Sequence, residues 1–279
     1  MQQRRRTVRQ AGSSSQSIME DAMNTISQLH WTSASRSHVG LVRDLNEDSC
    51  LELPEHGIWA VADGMGGHSF GDYASQTVVN SLAEVKPGDD LAVSLRDARL
   101  QIQIANRSLR NEAAARDTHI IGSTVVVLIA SERQCGYLWA GDSRIYLYRD
   151  GKLQQLTRDH SQLEELKAHG GLSDEDAAMH PLRNMITRAV GASDVLDVDQ
   201  ESVDVNDGDM FLLCSDGLSN AVSESDICRA MAPGDCAQAS DKLISLALDG
   251  GGRDNITVVV VRAGGDTETM EMTSLNPAL

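Results

Sequence analysis

Four aspartates lie beside glycine or asparagine at the ends of apolar segments. Asp63-Gly64 follows "IWAVA", Gly141-Asp142 follows "GYLWA", Asp216-Gly217 follows "FLLCS", and Asp254-Asn255 precedes "ITVVVV". Each apolar segment would deliver a carboxylate to the edge of a rigid core, where glycine permits a tight backbone bend. Clustered carboxylates repel one another, and a bound Mg²⁺ or Mn²⁺ removes that repulsion. A single Asp-Gly pair is typical of an ordinary turn, so the repetition at strand ends is what indicates a metal site.

The segment "VRDLNEDS" adds further polar groups, namely Arg43, Asn46, Glu47 and Asp48. An arginine close to metal-bound carboxylates can hold a phosphate through two parallel hydrogen bonds. Taken alone, the segment is an ordinary charged turn in which Arg43 pairs only with Asp44 or Glu47. The neighbourhood of a metal site favours phosphate chemistry.

Other phosphate-handling and nucleophilic chemistries lack their motifs. The sequence has no P-loop and no Gly-x-Ser-x-Gly nucleophile elbow. A cysteine phosphatase requires an arginine six residues after its cysteine. None follows any of the five cysteines, Cys50, Cys135, Cys214, Cys228 and Cys236. No Cys-x-x-Cys pair occurs either, so a disulfide framework and a zinc site are not indicated and a reducing cytoplasm is expected.

The overall charge excludes some classes of partner. The 279 residues carry 24 Lys and Arg against 41 Asp and Glu, a net charge of −17. An acidic chain repels phosphate backbones, so nucleic-acid binding is not expected.

No apolar run approaches the roughly 18 residues that a membrane span needs. Arg4, Arg5 and Arg6 are not followed by an apolar segment, so the N-terminus is not a secretory signal.

These site residues need strands to position them. Short apolar runs predict strands at 38–43, 49–53, 57–62, 123–130, 134–140, 144–149, 152–155, 210–214 and 255–262. Asp150-Gly151 predicts a hairpin turn, and "TVVVLIA" predicts a central strand that is covered on both faces. Two helices are predicted before residue 123, and another near 236–248. In the second, one buried face is formed by Leu91, Leu95, Ala98, Ile102, Ala105 and Leu109. This order favours antiparallel sheets with helices packed outside.

The chain divides into three parts by composition. Residues 1–35 are rich in Arg, Ser and Gln, and predict a mobile basic tail with a short helix around 18–29. The alternative is an inert extension, with Met19 or Met23 as the true start. Residues 36–264 form the globular domain, and 265–279 a frayed C-terminal tail.

Seven segments together resemble the metal-dependent Ser/Thr protein phosphatases of the PPM, or type 2C, family, and within it the compact bacterial members. In order they are "VRDLNEDS" (42–49), "VADGMGGHSFGDYAS" (61–75), "GSTVVVLIA" (122–130), "AGDSRIYLYRDGKLQQLTRDHS" (140–161), "HPLRNMITRAVG" (180–191), "LLCSDGLSN" (212–220) and "DNITVVVV" (254–261). Each segment is moderately specific, and seven in the family's order make a chance match very improbable.

The resemblance implies an α+β fold, a four-layer α-β-β-α sandwich of two antiparallel sheets flanked by helices, with metals in a cleft at one end. Two Mn²⁺ or Mg²⁺ ions are implied, and bacterial relatives often bind a third. Asp63 would bridge two ions, with the Gly64 carbonyl on one of them. Asp216 and Asp254 would complete the second ion, and Asp142 with Asp216 would hold the third.

The resemblance also implies roles for residues around the metals. Glu47 and Asp48 would hydrogen-bond metal waters, Arg43 would bind the substrate phosphate, and Asn255 would steady its neighbouring ligand. The implied reaction is hydrolysis of phosphoserine and phosphothreonine in proteins by a metal-activated water, without a phosphoenzyme. The alternative function is a catalytically inactive family member that acts as a binding or regulatory module, which would be expected to lose a ligand.

One position departs from eukaryotic relatives, which often have histidine directly after the Asp-Gly. Met65 stands there in this chain, so the leaving-group proton would come from a water or from a nearby histidine such as His68. His160 and His180 are expected to fix the flap that bacterial members carry, here 158–188. Family context suggests a cytoplasmic monomer that opposes a bacterial Ser/Thr kinase and acts on the forkhead-associated targets of that kinase. A secretion system is one setting in which such a phosphatase would act.

Overall fold

The computed structural model describes residues 29–66, 70–86, 88, 90–168 and 185–264. Its strands form two antiparallel sheets. Sheet I has the order β1-β11-β10-β7-β8, with β1 (His30–His38), β7 (Arg144–Arg149), β8 (Lys152–Gln155), β10 (Met210–Cys214) and β11 (Ile256–Gly264). Sheet II has the order β2-β3-β5-β6-β9, with β2 (Asp48–Leu53), β3 (Ile58–Gly66), β5 (Val125–Ser131), β6 (Gln134–Ala140) and β9 (Asp199–Asp204), while β4 (Ile121–Ser123) pairs with β3.

Helices cover the outer face of each sheet. They are α1 (Gly71–Leu82), α2 (Leu91–Ala115), α3 (Gln162–Ala168), α4 (Asp216–Ser219), α5 (Glu224–Met231) and α6 (Cys236–Asp249). α1 and α2 pack on sheet II, and α5 and α6 on sheet I. No helix in the described ranges is both long and apolar enough to cross a membrane. The predicted four-layer sandwich is confirmed.

Three apolar layers follow from the alternation of side chains along the strands. Between the sheets, Trp59 and Val61 of β3 meet Phe211 and Leu213 of β10. Successive residues of a strand point to opposite faces, so the odd and even residues of an entirely apolar strand fill two different layers. β5 shows this directly, since Val126 contributes to the layer between the sheets and the residues on either side of it to the layer under α1 and α2. The prediction of a central strand covered on both faces is confirmed.

The helical periodicity in 91–109 is also confirmed. Leu95, Ala98 and Ile102 of α2 are buried against sheet II, as are the later members of the same face. The Asp90 side chain begins the helix by accepting a hydrogen bond from the Val93 amide at 2.7 Å, which satisfies one of its unpaired donors. The turn at Asp150-Gly151 joins β7 to β8, with positive φ at both residues, as a tight hairpin requires.

Several boundaries inferred from sequence are wrong. The predicted strand 38–43 lies too late, because β1 spans His30–His38 and is followed by a turn. The basic tail therefore ends before residue 35, and Leu29 is already buried between the sheets. β1 and β9 were not recognised in the sequence because both carry many polar residues. Four of the nine residues of β1 and four of the six residues of β9 are exposed. The short helices α4 and α5 were missed as well. Residues 1–28 and 265–279, with their predicted tails, lie outside the described residues.

Phe211 tests the importance of the layer between the sheets. Its side chain is fully buried there, so Phe211→Ala should lower the free energy of unfolding by about 3–5 kcal/mol. Urea unfolding followed by circular dichroism measures this loss. Val195→Ala is the control, because Val195 is 84% exposed and its truncation should change stability by less than about 0.5 kcal/mol. Equal stability of the two variants would contradict the assignment of the core.

Candidate metal centre

The strand register brings the aspartates to one end of the layer between the sheets. In the β2–β3 pairing Asp48 lies directly opposite Asp63. Trp59 and Val61 of β3 face sheet I, and Asp63 continues that alternation beyond the apolar residues. Asp216 follows β10, and Asp254 precedes β11, which is the antiparallel neighbour of β10. The ends of the two sheets thus place carboxylates from distant parts of the sequence side by side.

A cavity of about 350 Å³ opens at this end. It is lined by Arg43, Glu47, Asp63, Gly64, Met65, Gly66, Thr124, Asp142, Ile186, Asp216, Asp254 and Asn255. Every residue predicted to hold a metal or to contact phosphate is in that set. Asp48, which was predicted to hydrogen-bond metal waters, is not. Asp48 is buried behind the wall, where its carboxylate accepts a hydrogen bond of 2.7 Å from the Ser215 hydroxyl.

Burial and mutual repulsion both raise the pKa values of the aspartates in and behind the cavity wall. Burial first, and then the charges of Asp48, Asp216, Asp142 and Asp254, hold the pKa of Asp63 well above its usual range. Burial and neighbouring carboxylates raise the pKa of Asp142 to about 7 and that of Asp216 to about 6. Burial likewise raises the pKa of Asp48 to about 7, against hydrogen bonds from Ser215 and Thr257. Without a cation, these carboxyl groups therefore bind protons at a higher pH than exposed aspartates do.

The donor set fits a hard divalent cation. At this end of the sheets two carboxylate oxygens, Asp48 Oδ1 and Asp216 Oδ1, are buried without a hydrogen-bond partner. Oxygen atoms of several carboxylates and a backbone carbonyl are the ligands that Mg²⁺ and Mn²⁺ prefer. Among the described residues, no three His, Cys, Asp or Glu side chains are grouped as a finished metal site. The carboxylates would therefore turn towards a shared ion as it binds.

Arg43 reaches the cavity from the turn between β1 and β2. Its guanidinium donates a hydrogen bond of 2.9 Å to Asp254 Oδ2, and this contact raises the pKa of Arg43. The side chain remains 53% exposed. The ordinary charged turn considered from sequence would have paired Arg43 with Asp44 or Glu47. The structure instead directs it across the cavity wall to a candidate metal ligand.

Asn255 is a clamp on the turn that carries Arg43. Its Oδ1 accepts a hydrogen bond from the Glu47 amide at 2.8 Å. Its Nδ2 donates to the carbonyls of Val39 and Leu45, at 2.9 and 2.8 Å. Asn255 was expected to steady the neighbouring ligand Asp254. The Asn255 amide does contact that ligand, since it donates a hydrogen bond of 3.0 Å to Asp254 Oδ1. The Asn255 side chain binds the β1–β2 turn, and so fixes Arg43 and Glu47 relative to β11.

Two glycines permit close approach of backbones around the cavity. A Cβ atom on Gly64 would lie 1.9 Å from the Gly71 carbonyl oxygen, and one on Gly217 would lie 1.9 Å from the Asn255 carbonyl oxygen. Neither glycine has a positive φ, so the constraint is space rather than a left-handed backbone. The absence of a side chain at Gly64 and Gly217 therefore lets the backbone after Asp63 pack against Gly71, and the backbone after Asp216 pack against Asn255.

Three residues in or next to the cavity wall were not singled out from the sequence. Thr124 Oγ1 accepts a hydrogen bond from the Asp63 amide at 3.0 Å, and the Ser215 hydroxyl binds Asp48. Arg144 forms two-point hydrogen bonds with Asp159 behind Asp142. Polar residues directly after or before a buried apolar run were the available signal for Thr124 and Ser215. Arg144 gave none, because arginine is common in exposed strands.

His160 anchors the base of the predicted flap. The buried ring stacks on Trp139, Nδ1 accepts a hydrogen bond of 3.2 Å from the Gly141 amide, and Nε2 lies 3.2 Å from Asp199. Burial lowers the pKa of His160, so the neutral ring with its proton on Nε2 suits these partners. An anchoring role agrees with this geometry, and His160 is absent from the cavity wall. Met65 does line the cavity, whereas His68, His180 and residues 169–184 of the flap lie outside the described residues.

Comparison with known proteins identifies the family. The family model for protein phosphatase 2C matches residues 33–243. The serine/threonine protein phosphatase PstP of Mycobacterium tuberculosis is 39% identical over 231 residues, which cover 81% of this chain and 44% of that protein. The chain therefore belongs to the protein phosphatase 2C family, and it spans less than half the length of this curated relative.

Two solved structures have the same fold. PppA, described as a key regulatory component of T6SS in Pseudomonas aeruginosa, superposes with a TM-score of 0.80 at 40% identity, over 85% of this chain and 99% of that one. The catalytic domain of PstP in complex with two manganese ions gives a TM-score of 0.77 at 36% identity, over 85% and 99% of the two chains. The second structure shows that a similar scaffold holds two Mn²⁺ ions.

The raised aspartate pKa values predict how metal and pH affect stability. In the unfolded chain, aspartates have a pKa of about 3.9. The pKa of Asp48 and of Asp142 in the folded chain is about 7, so the folded state binds more protons than the unfolded state between these values. The free energy of unfolding therefore decreases as the pH rises towards about 7. In excess chelator the melting temperature should therefore fall between pH 5.5 and pH 8. Added Mn²⁺ should raise it more at pH 8 than at pH 5.5.

Differential scanning fluorimetry at both pH values measures the effect. Asp142→Asn removes one of the repelling charges and should flatten the pH dependence in chelator. A melting temperature in chelator that rises with pH, or an equal Mn²⁺ shift at both pH values, would contradict the electrostatic account.

Proposed function

We propose that this chain hydrolyses phosphoserine and phosphothreonine in proteins, with Mn²⁺ or Mg²⁺ as cofactor. The observation that carries the proposal is the single cavity in which Asp63, Asp142, Asp216 and Asp254 meet Arg43. Family membership and the manganese-bound relative support it. Carboxylates alone would repel a phosphomonoester dianion, so the site suits that substrate only with cations bound.

The proposed division of labour follows the geometry. Asp63, Asp216, Asp254 and the Gly64 carbonyl would hold two ions, which lower the pKa of water and offset the charge of the phosphate when bound. Arg43 would bind the phosphate oxygens, fixed by the Asn255 clamp. Glu47 accepts a hydrogen bond of 3.2 Å from the Gly71 amide, and Asp48 one from Ser215, so both would orient the metal environment rather than bind phosphate.

A third ion is proposed at Asp142 and Asp216. These two residues line the main cavity and also an adjoining one, of about 330 Å³, that extends towards Arg144, Asp159 and α3. A carboxylate exposed to two cavities can contribute oxygens to both. Met65 leaves no titratable side chain after Gly64, so a water would supply the leaving-group proton; His68 remains the alternative.

The inactive binding module is less well supported. Such a protein would be expected to have lost a metal ligand, whereas all four aspartates line one cavity.

The biological substrates and setting are a separate part of the proposal. Opposition to a bacterial Ser/Thr kinase, action on forkhead-associated proteins and a cytoplasmic, monomeric state remain proposals, and the likeness to PppA makes a secretion-system setting a further one.

The carboxylates give the first test of the proposed activity. Asp63→Asn and Asp254→Asn should each lower kcat for p-nitrophenyl phosphate by at least about a hundredfold, because they remove ligands of the ions that activate water. The assay is run with Mn²⁺ and with a phosphothreonine peptide as second substrate. Asp44→Asn, an exposed carboxylate beside Arg43, is the matched control. Wild-type kcat in either ligand variant, or full activity in excess chelator, would refute the metal-dependent mechanism.

Arg43 gives the second test. Arg43→Ala should raise KM for phosphate esters and weaken inhibition by free phosphate, by about one to two decades, since a hydrogen bond to a charged group contributes about 1.5–3 kcal/mol. Arg43→Lys should recover only part, because lysine cannot make the planar two-point contact. Calorimetric titration should show that both variants retain Mn²⁺ affinity. A KM within twofold of wild type would end this assignment.

A further inference from the structure

Exposed large apolar residues lie on either side of Arg43 in the β1–β2 turn, and Arg43 itself lines the cavity. Leu41 and Val42 are each 66% exposed, and Leu45 is 52% exposed. These are three of the eleven large apolar residues that are exposed in the described part of the chain, within five consecutive positions. Single exposed apolar residues are ordinary on protein surfaces, whereas a contiguous group marks a contact surface.

Met185 is an exposed apolar residue next to the same cavity, from another part of the chain. It is 50% exposed, and its neighbour Ile186 lines the same cavity as Arg43. The Met185 carbonyl accepts a hydrogen bond of 2.9 Å from the Gln162 amide. This contact joins the segment around Met185 to the start of α3. We call Leu41, Val42, Leu45 and Met185 the apolar rim.

The β1–β2 turn cannot bury these side chains by folding inward. Asn255 fixes it at Val39, Leu45 and Glu47, and the Leu41 amide donates a hydrogen bond of 2.6 Å to the Gly252 carbonyl. Only the tip around Arg43 lacks such backbone ties in the described contacts. A contact surface that is already ordered costs little conformational entropy when a partner binds.

Charge restricts what can bind the rim. Asp44 is exposed on the turn beside the rim, and the whole chain carries a net charge of −17. Acidic residues next to a bound phosphate group would therefore be repelled. Apolar residues would gain the free energy of covering the rim.

We infer that the apolar rim selects phosphorylated segments in which large apolar residues flank the phosphoserine or phosphothreonine. This inference rests on the proposed phosphatase function and adds a substrate class to it. Arg43 holds the phosphate, and the rim packs against the neighbouring side chains of the same protein segment. Because p-nitrophenyl phosphate has no neighbouring residues, the rim should not affect its hydrolysis.

Three substrates separate these contributions. The first is a phosphothreonine peptide with leucine at the two positions on each side, the second has serine at those positions, and the third is p-nitrophenyl phosphate. The wild-type chain, assayed with Mn²⁺, should favour the leucine peptide over the serine peptide by about fivefold to twentyfold in kcat/KM, the range that partial burial of one leucine allows. A matching peptide with glutamate in place of leucine should be the poorest of the peptides.

The variant Val42→Ser/Leu45→Ser tests the rim while leaving Arg43 in place. It should lose the preference for the leucine peptide through a higher KM, with the serine peptide and p-nitrophenyl phosphate unchanged within twofold. Leu100→Ser/Ile104→Ser, which alters exposed apolar residues of α2 outside the cavity, is the matched control and should keep the preference.

The outcomes distinguish this inference from the function on which it rests. Hydrolysis of p-nitrophenyl phosphate without discrimination among the peptides would overturn the inference alone. A rim variant that keeps the leucine preference would also overturn it, as would an equal loss for all three substrates, since that would mean a disturbed Arg43. Failure of the wild-type chain to hydrolyse any of the three with Mn²⁺ would overturn the proposed function itself.

Discussion

Repulsion among carboxylates at the end of the layer between the two sheets is the constraint on which the site depends. Asp48 and Asp63 are opposite each other in the β2–β3 pairing, and Asp216 and Asp254 are delivered by adjacent strands of the facing sheet. The fold brings these charges together although burial, and then mutual repulsion, raise several of the pKa values towards neutrality. A divalent cation resolves the conflict, because it supplies the positive charge that protons would otherwise provide.

The surrounding backbone is built to hold this arrangement closely. Gly64 and Gly217 follow two of the aspartates, and at each a Cβ atom would collide with a carbonyl from another segment. Ser215 and Thr124 bind the side chain of Asp48 and the amide of Asp63, respectively. These hydrogen bonds hold Asp48 and Asp63 in place although the two carboxylates repel each other. Apolar packing alone would not fix the position of a charged group.

The position of the candidate phosphate-binding residue, Arg43, depends on the hydrogen bonds of Asn255. Asn255 makes three hydrogen bonds to the β1–β2 turn, so the position of Arg43 is set by β11, about 210 residues later in the sequence. The same clamp holds the apolar residues around Arg43 at the surface. One asparagine thus connects the metal-binding strand ends, the candidate phosphate contact and the surface that a protein substrate would meet.

The sequence by itself determined the elements whose patterns are local: the apolar strands, the α2 periodicity, the Asp-Gly hairpin, and the aspartates at strand ends. It did not determine β1 or β9, because half-exposed strands carry polar residues that resemble loops. Only the tertiary structure decided that Arg43 contacts Asp254, that Asp48 lies behind the cavity wall, and that the Asn255 side chain binds the β1–β2 turn. The physical reason is that local spacing fixes which way a side chain points from its own strand, whereas its partners are set by the register and packing of segments far apart in the chain.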